Sequence, residues 1–144
     1  MKILVSACLL GENCKYNGGN NLNENLMKLA SKHELIPVCP ECLGGLGIPR
    51  SPAEIVDGEV INRDGISVDS QFRKGAQAAL KIALERQAEL AILQSRSPSC
   101  GVKRIYDGRF SGNTIIGSGI FAKLLIENGI KVLDIEDLDY KEFI

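Results

Sequence analysis

Apolar residues along the chain occur in two alternating kinds of segment. Four short segments are almost uninterrupted in their apolar character, which is typical of strands buried on both faces; they cover residues 2–7, 35–38, 90–93 and 130–133. Three segments carry apolar residues at helical spacing, and they cover residues 23–32, about 70–87 and about 120–127. Because strands and helices alternate, the pattern predicts an α/β fold.

The second helical segment has the most regular pattern. Its apolar residues recur at i, i+4, i+7, i+8, i+11 and i+12, and they are Phe72, Ala76, Ala79, Leu80, Ala83 and Leu84. Asp69 or Ser70 can cap the start of this helix through a side-chain oxygen. The third helical segment is expected to end at Asn128 and Gly129, which favour the left-handed conformation that closes helices.

Two segments are expected to lie outside the alternating strands and helices. Residues 54–68 alternate polar and apolar side chains around Asp-Gly pairs at 57–58 and 64–65, which predicts a small β-hairpin excursion. Residues 134–144 are acidic and predict a terminal turn or helix that docks through its apolar side chains, which are Ile135, Leu138 and Phe143.

Uninterrupted strands joined through helices predict a parallel sheet with right-handed crossovers. We expect a single-domain, doubly wound, mainly parallel four-stranded sheet with strand order 2-1-3-4 and helices on both faces. The sequence shows no internal repeat or linker, so residues 1–144 are expected to form one domain.

Composition and charge narrow the function classes. The 144 residues are 44% hydrophobic, which suffices for a core without disulfides. The 17 Lys and Arg residues are balanced by 18 Asp and Glu residues, and the net charge of -1 gives no broad field to attract phosphate backbones. No apolar stretch approaches the roughly 20 residues that span a bilayer. We therefore expect a cytoplasmic protein with no membrane association and no extended nucleic-acid binding.

The cysteines point to a metal site. There are five in the chain, and Cys8, Cys39 and Cys100 directly follow the first, second and third predicted strands. In strand order 2-1-3-4 these strands are neighbours, so the three thiols are expected to converge at the carboxyl edge of the sheet. Thiolates select zinc, copper or iron-sulfur clusters. Three cysteines can hold three corners of a cubane and leave one iron open, whereas separate burial of each thiol is the alternative.

Cys39 also belongs to a C-x-x-C motif with Cys42, which leaves other functions open. Such a motif near a β-α-β unit can be a thioredoxin-like redox pair. The glycine-rich residues 43–49 are expected not to open a stable helix, however, and thioredoxin-like pairs lie at a helix start. A zinc site is a further alternative, with Cys39 and Cys42 joined by Cys8, Cys14 or Cys100.

Several separate motifs resemble a known family. They are VSACLLG at 5–11, PVCPE at 37–41, GGL at 44–46, PRSPAEI at 49–55, SRSPSCG at 95–101, YDG at 106–108 and GSG at 117–119. In this order, over nearly the whole chain, they resemble the bacterial and archaeal thiouracil desulfidase family. The resemblance implies a 4Fe-4S cluster with three cysteine ligands, Cys8, Cys39 and Cys100, and one open iron that captures sulfur. Cys14 and Cys42 fall outside that ligand pattern.

The implied reaction replaces C=S by C=O in a thiolated pyrimidine without redox change and releases sulfide. Glu41, two residues after Cys39, is the candidate general base. One hydroxyl of Ser97 or Ser99 can orient the water or the pyrimidine, and Ser97 is preferred. The alternative for all three side chains is that they satisfy backbone groups in turns.

Basic and glycine-rich segments supply candidate substrate-binding groups, namely Arg50, Lys103, Arg104, Gly117, Ser118 and Gly119. The GSG turn precedes the third predicted helix, whose N-terminal amides can bind a nucleotide phosphate. The alternative, which the routine use of such residues in loops favours slightly, is that the glycines make a tight strand-to-helix turn and that Lys103 and Arg104 lie in a solvated loop. Arg50 can instead form a buried ion pair with Glu54. The expected partner is thiouracil or a thiolated uridine nucleotide. The remaining alternative is a zinc- or iron-sulfur-binding structural or sensor protein without desulfidase activity.

Overall fold

A computed structural model describes residues 1–143 and has a central four-stranded parallel sheet flanked by helices. The strands in chain order are β1 Lys2–Ser6, β2 Glu34–Val38, β3 Ala53–Val56, β4 Glu59–Asn62, β5 Leu90–Leu93, β6 Arg104–Tyr106, β7 Thr114–Ile116 and β8 Lys131–Asp134. The α-helices are α1 Glu24–Met27, α2 Pro40–Leu43, α3 Asp69–Glu85 and α4 Ile120–Glu127.

The central sheet has the order β2-β1-β5-β8, and all its pairs are parallel. This confirms the predicted order 2-1-3-4. Val5 of β1 lies beside Pro37 of β2 on one side and Ile92 of β5 on the other. Pro37 lies in the edge strand β2, where proline is tolerated when its nitrogen faces away from the neighbouring strand.

Both faces of the sheet are covered, as predicted for a doubly wound fold. On one face, Leu4 and Leu93 pack against α3 and α4, which contribute Ala79 and Phe121 among others. On the other face the buried side chains are Ile3, Val5, Leu26, Leu29 and Ile92. No helix within residues 1–143 is long and apolar enough to cross a membrane.

The helix starts and lengths differ from the prediction at two places. Residues 23–32 form only one α-helical turn, capped by the Asn23 side chain at the Leu26 N–H, and then the 3-10 turn Lys28–Ser31. Helix α3 starts at Asp69, so neither Asp69 nor Ser70 is its cap. The Asp69 carboxylate instead accepts the Val60 N–H and pairs with Arg73.

Two antiparallel hairpins lie outside the central sheet. The predicted hairpin is β3–β4, and its turn uses positive φ angles at Asp57 and Gly58. The second hairpin, β6–β7, was not predicted. Glu54 of β3 accepts hydrogen bonds from the backbone N–H groups of Gly108 and Phe110, so it fastens one hairpin to the other.

The acidic tail docks on the core as expected. It forms the 3-10 turns Ile135–Asp137 and Tyr140–Phe143, and the side chains packed against the core are Ile135, Leu138, Tyr140 and Phe143. Residue 144 of the predicted tail lies outside the described residues.

Helices α2 and α3 meet backbone to backbone through two glycines. A Cβ at Gly75 would lie 1.7 Å from the Pro40 carbonyl oxygen, and one at Gly44 would lie 2.0 Å from the Gln71 carbonyl oxygen. Real Cβ atoms do not approach backbone this closely, so both positions require glycine. This contact fixes the place of α2, which follows directly from the end of β2.

Candidate active site

The ends of three neighbouring strands bring three thiols to one cavity. Cys8 lies in the 3-10 turn Ala7–Leu10 after β1, Cys39 directly follows β2, and Cys100 lies in the loop after β5. Together with Cys14 they line a cavity of about 510 Å³, named here the cysteine cavity. Its position outside the carboxyl ends of parallel strands is where ligands bind in this fold class.

Burial controls the protonation of these thiols. Desolvation raises the pKa of Cys8, Cys39 and Cys100, and Cys100 is the most buried of the three, at 4% exposed. The charge of Glu41 acts in the same direction on each of them. Because thiolates are the form that binds metal, loading a metal here would release protons.

Hydrogen-bond donors oppose part of this effect. The Asn21 amide lies 3.5 Å from the Cys8 sulfur and favours its thiolate. The nearby Ser6 hydroxyl acts in the same direction, lowering the pKa of Cys100. The cavity therefore contains polar groups directed at sulfur, which suits an anionic sulfur ligand.

The two remaining cysteines differ in position. Cys14 lines the cysteine cavity and is buried, and desolvation raises the pKa of its thiol to about 11. Cys42 lies on α2, is partly exposed and does not belong to the cavity wall. All five cysteines are free thiols in the structure.

Glu41 reaches the cavity from the first turn of α2 and is held by Arg50. A guanidinium nitrogen of Arg50 lies 2.5 Å from a Glu41 carboxylate oxygen, and the two side chains are 10% and 19% exposed. Arg50 also donates to the backbone oxygens of Cys14 and Gly47. The alternative ion pair of Arg50 with Glu54 was wrong. The Glu54 carboxylate instead accepts two backbone N–H groups of the second hairpin.

The two candidate serines occupy different surroundings. Ser97 lines the cysteine cavity, and its Oγ accepts the backbone N–H groups of Ser99 and Cys100 at 3.0 Å each. Its hydroxyl is therefore free to donate a hydrogen bond. Ser99 is fully buried, lies outside the cavity wall and makes no well-formed hydrogen bond through Oγ within residues 1–143. Of these two serines, only Ser97 is placed to touch a ligand in the cavity.

The structure does not bring the other predicted substrate-binding residues, apart from Arg50, into the cysteine cavity. Lys103 pairs with Asp137, and Arg104 donates to Thr114 of β7. The Ser118 hydroxyl donates to the Val102 carbonyl oxygen.

The predicted phosphate site at the GSG turn is filled by the chain itself. The N–H of Ile120 donates to the Pro98 carbonyl oxygen, and those of Phe121 and Ala122 donate to the Ser99 carbonyl oxygen. Gly119 touches the same segment, since a Cβ there would lie 2.4 Å from the Ser99 oxygen. Residues 117–119 therefore support the loop that carries Cys100, and the first amides of α4 are already occupied.

Sequence reasoning missed several residues of the cavity wall, namely Lys15, Tyr16, Asn21, Arg63, Tyr106 and Phe110. The guanidinium of Arg63 lies over the Phe110 ring, 5.8 Å from its centroid. Within residues 1–143 neither Lys15 nor Arg63 forms an ion pair with a carboxylate. The motif that contains Tyr106 was a partial signal, whereas Arg63 reaches the cavity only because the first hairpin folds over it.

The donor arrangement also bears on the zinc alternatives. Within the described part of the chain, no three Cys, His, Asp or Glu side chains are grouped so that they could hold a single metal ion. A cluster distributes its ligands over several irons, so its thiols need not converge on one point. Three thiols around one cavity fit a cluster better than a single metal ion.

Comparisons with known proteins agree along nearly the whole chain. A family model described as 2-thiouracil desulfurase matches residues 3–137. The uncharacterized protein YbbK of Bacillus subtilis (strain 168) is 40% identical over 147 residues, which cover 95% of this chain and 97% of that protein. A solved structure of the 4Fe-4S-dependent thiouracil desulfidase TudS is also 40% identical, with a TM-score of 0.90, and the match covers 95% of this chain and 92% of that one.

Proposed function

This chain belongs to the 2-thiouracil desulfurase family, and we propose that it hydrolyses the C=S bond of a thiolated pyrimidine and releases sulfide without net redox change. The observation that carries this proposal is one cavity lined by three strand-end thiols and a carboxylate, Glu41. The structural likeness to a desulfidase named as 4Fe-4S-dependent supports the same chemistry.

In this proposal Cys8, Cys39 and Cys100 hold a 4Fe-4S cluster that leaves one iron open. The residues fit such a group because the donors are free thiols around one cavity and because the Asn21 amide donates toward the Cys8 sulfur. When bound, the cluster would supply a sulfur-seeking Lewis acid that polarises the thiocarbonyl.

The remaining work falls to side chains of the cavity wall. Glu41, oriented by Arg50, accepts a proton from a water molecule as the water oxygen bonds to the thiocarbonyl carbon. The C–S bond then breaks and sulfur leaves as sulfide, so that the thiocarbonyl and water become a carbonyl and hydrogen sulfide. The Ser97 oxygen accepts hydrogen bonds from two backbone N–H groups, so both of its lone pairs are occupied. Its hydroxyl therefore donates a hydrogen bond to the water or the pyrimidine.

The cavity is suited to a thiolated uridine nucleotide as well as to the free base. Its volume lies in the range of small-molecule sites. Tyr106 and Phe110 offer aromatic faces for the pyrimidine. Lys15 and Arg63 carry positive charge that no carboxylate within residues 1–143 neutralises, so they are the proposed contacts of a nucleotide phosphate.

The reaction itself is tested with protein reconstituted anaerobically with iron and sulfide. Incubation with 2-thiouracil is expected to give uracil and sulfide in equal amounts, measured by chromatography and a colorimetric sulfide assay. No external reductant or oxidant is expected to be consumed. Protein that carries its cluster but forms no uracil, or forms it only with a redox partner, would contradict the proposal.

The nucleotide contact is tested by Lys15→Ala and Arg63→Ala. Each substitution is expected to raise KM for thiolated uridine monophosphate by about 10- to 150-fold, since a charge-assisted hydrogen bond contributes about 1.5–3 kcal/mol. The KM for free thiouracil is expected to stay at its wild-type value, because that substrate has no phosphate. Lys74→Ala, which removes an exposed charge on α3 outside the cavity, is the matched control. Equal KM changes for base and nucleotide would show that the two cations do not bind phosphate.

A further inference from the structure

The C-x-x-C motif occupies the start of a helix, contrary to the expectation from the glycines that follow it. Cys39 is the N-cap of α2, Pro40 is its first residue, and the helix ends at Leu43 before those glycines begin. Proline is favoured at this first position because its missing N–H has no partner there in any helix. The motif therefore has the placement of a redox-active thiol pair, although α2 is only four residues long.

The position of the motif brings its two side chains next to each other. Cys39 is the N-cap and Cys42 the third residue of α2, and side chains at these two positions face each other at a helix start. Both cysteines are partly exposed, but Cys39 belongs to the wall of the cysteine cavity and Cys42 lies outside it. The proposed hydrolysis uses Cys39 as a ligand and gives Cys42 no role.

We propose that Cys39 and Cys42 form a reversible disulfide with a peroxide as oxidant whenever Cys39 is not engaged as a cluster ligand. The bridge keeps Cys39 from oxidation to the sulfinic acid, which cannot return to a ligand thiolate. The protective meaning rests on the proposed function, because it requires Cys39 to be a ligand. The formation of the bridge does not.

In the proposed sequence Cys42, which lies outside the cavity wall, reacts first. The Cys42 thiolate attacks the peroxide, the O–O bond breaks, and Cys42 becomes a sulfenic acid while the peroxide leaves as alcohol or water. The Cys39 sulfur then attacks the Cys42 sulfur, which expels water and forms the disulfide. Two thiols are oxidised and one peroxide is reduced, so atoms and electrons balance. Exchange with a dithiol returns both thiols.

Cys14 is the competing partner, and the structure disfavours it. It also lies close to Cys39, whose sulfur is 3.9 Å from the Cys14 carbonyl oxygen. However, Cys14 is buried, whereas Cys42 is partly exposed. Peroxide reacts with accessible thiols, so Cys42 is more open to attack than Cys14.

The test uses full-length protein freed of iron by anaerobic chelation with a reductant, which is then removed. A stoichiometric amount of hydrogen peroxide is added, free thiols are alkylated, and peptides are mapped by mass spectrometry. Wild type is expected to lose alkylation at two of its five cysteines and to yield a Cys39–Cys42 linkage that dithiothreitol removes. Cys14→Ser, the matched control, is expected to yield the same linkage.

The variant Cys42→Ser tests whether the disulfide protects Cys39 from further oxidation or whether the two cysteines are merely close together. Before peroxide it is expected to bind iron and desulfurate as wild type does. After excess peroxide and then dithiothreitol, wild type is expected to regain its iron on reconstitution, whereas Cys42→Ser loses that capacity and carries Cys39 sulfinic acid.

Three results would overturn the inference: a Cys39–Cys14 bridge in wild type, all five thiols still alkylated after peroxide, or full recovery by Cys42→Ser. If untreated wild type bound no iron, the cluster proposal would fail, while the peptide map would still decide whether the disulfide forms.

Discussion

Glu41→Gln is expected to lower kcat for desulfuration by about 10²- to 10⁴-fold, the range that a positioned general base contributes. Glutamine keeps the size of the side chain, and its amide oxygen can still accept the hydrogen bond from Arg50. It cannot take a proton from water. Iron and acid-labile sulfide contents are expected to equal those of wild type, because Glu41 is not among the proposed ligands. Steady-state kinetics with 2-thiouracil on reconstituted protein, together with metal analysis, measures both quantities.

The control for this variant is Glu12→Gln, which makes the same charge change at an exposed residue outside the cavity wall. It is expected to leave kcat unchanged. If Glu41→Gln turned over like wild type with a full cluster, another group would have to be the base. If it lost iron in parallel with activity, Glu41 would be needed to assemble the site rather than to move a proton.

Alanine substitution of each proposed ligand is expected to abolish stable cluster binding and all measurable desulfuration. Removing Cys8, Cys39 or Cys100 leaves only two strand-end thiols. A cubane with one open iron needs three cysteine ligands. Iron and sulfide analysis after anaerobic reconstitution, with the visible absorption of the cluster, gives the result without reference to activity.

Cys42→Ala is the matched control for the ligand variants and is expected to keep its full iron content. Iron loss only in Cys42→Ala, or full iron content in any of the other three, would mean that the ligand assignment is wrong. Circular dichroism of the metal-free variants checks that they fold. Cys100 needs this check most, because its side chain belongs to the buried core beside Leu93 and Phe121.

The central sheet was predictable because its information is local. Each buried strand is a short uninterrupted apolar segment, and right-handed crossovers leave few ways to order the strands. The β6–β7 hairpin was not predictable in the same way. Its strands have only three residues each, and they are held by a long-range contact, in which Glu54 binds the backbone of Gly108 and Phe110.

Site residues that directly follow a strand were predictable from the sequence. Residues that reach the site only because a loop turns back toward it were not. Cys8 and Cys39 are placed by β1 and β2 themselves. The pairing of Arg50 with Glu41 rather than Glu54 depends on how residues 43–50 turn back toward α2, and the sequence contains no periodic signal for that. Likewise, nothing in the GSG motif reveals that the Pro98 and Ser99 carbonyl oxygens already occupy the amides of α4.

The glycine contact between α2 and α3 has a consequence for motion. A one-turn helix would normally fray on a fast timescale, and its amide hydrogens would exchange with solvent by local opening. Here α2 rests directly on the backbone of a 17-residue helix at Gly75, so it cannot open without moving that helix. Amide exchange at Leu43 and Gly44, whose N–H groups bond to the Cys39 and Pro40 carbonyl oxygens, is therefore expected to be as slow as exchange in α3. The segment that carries Cys39 and Glu41 is thus expected to open together with α3 rather than by itself.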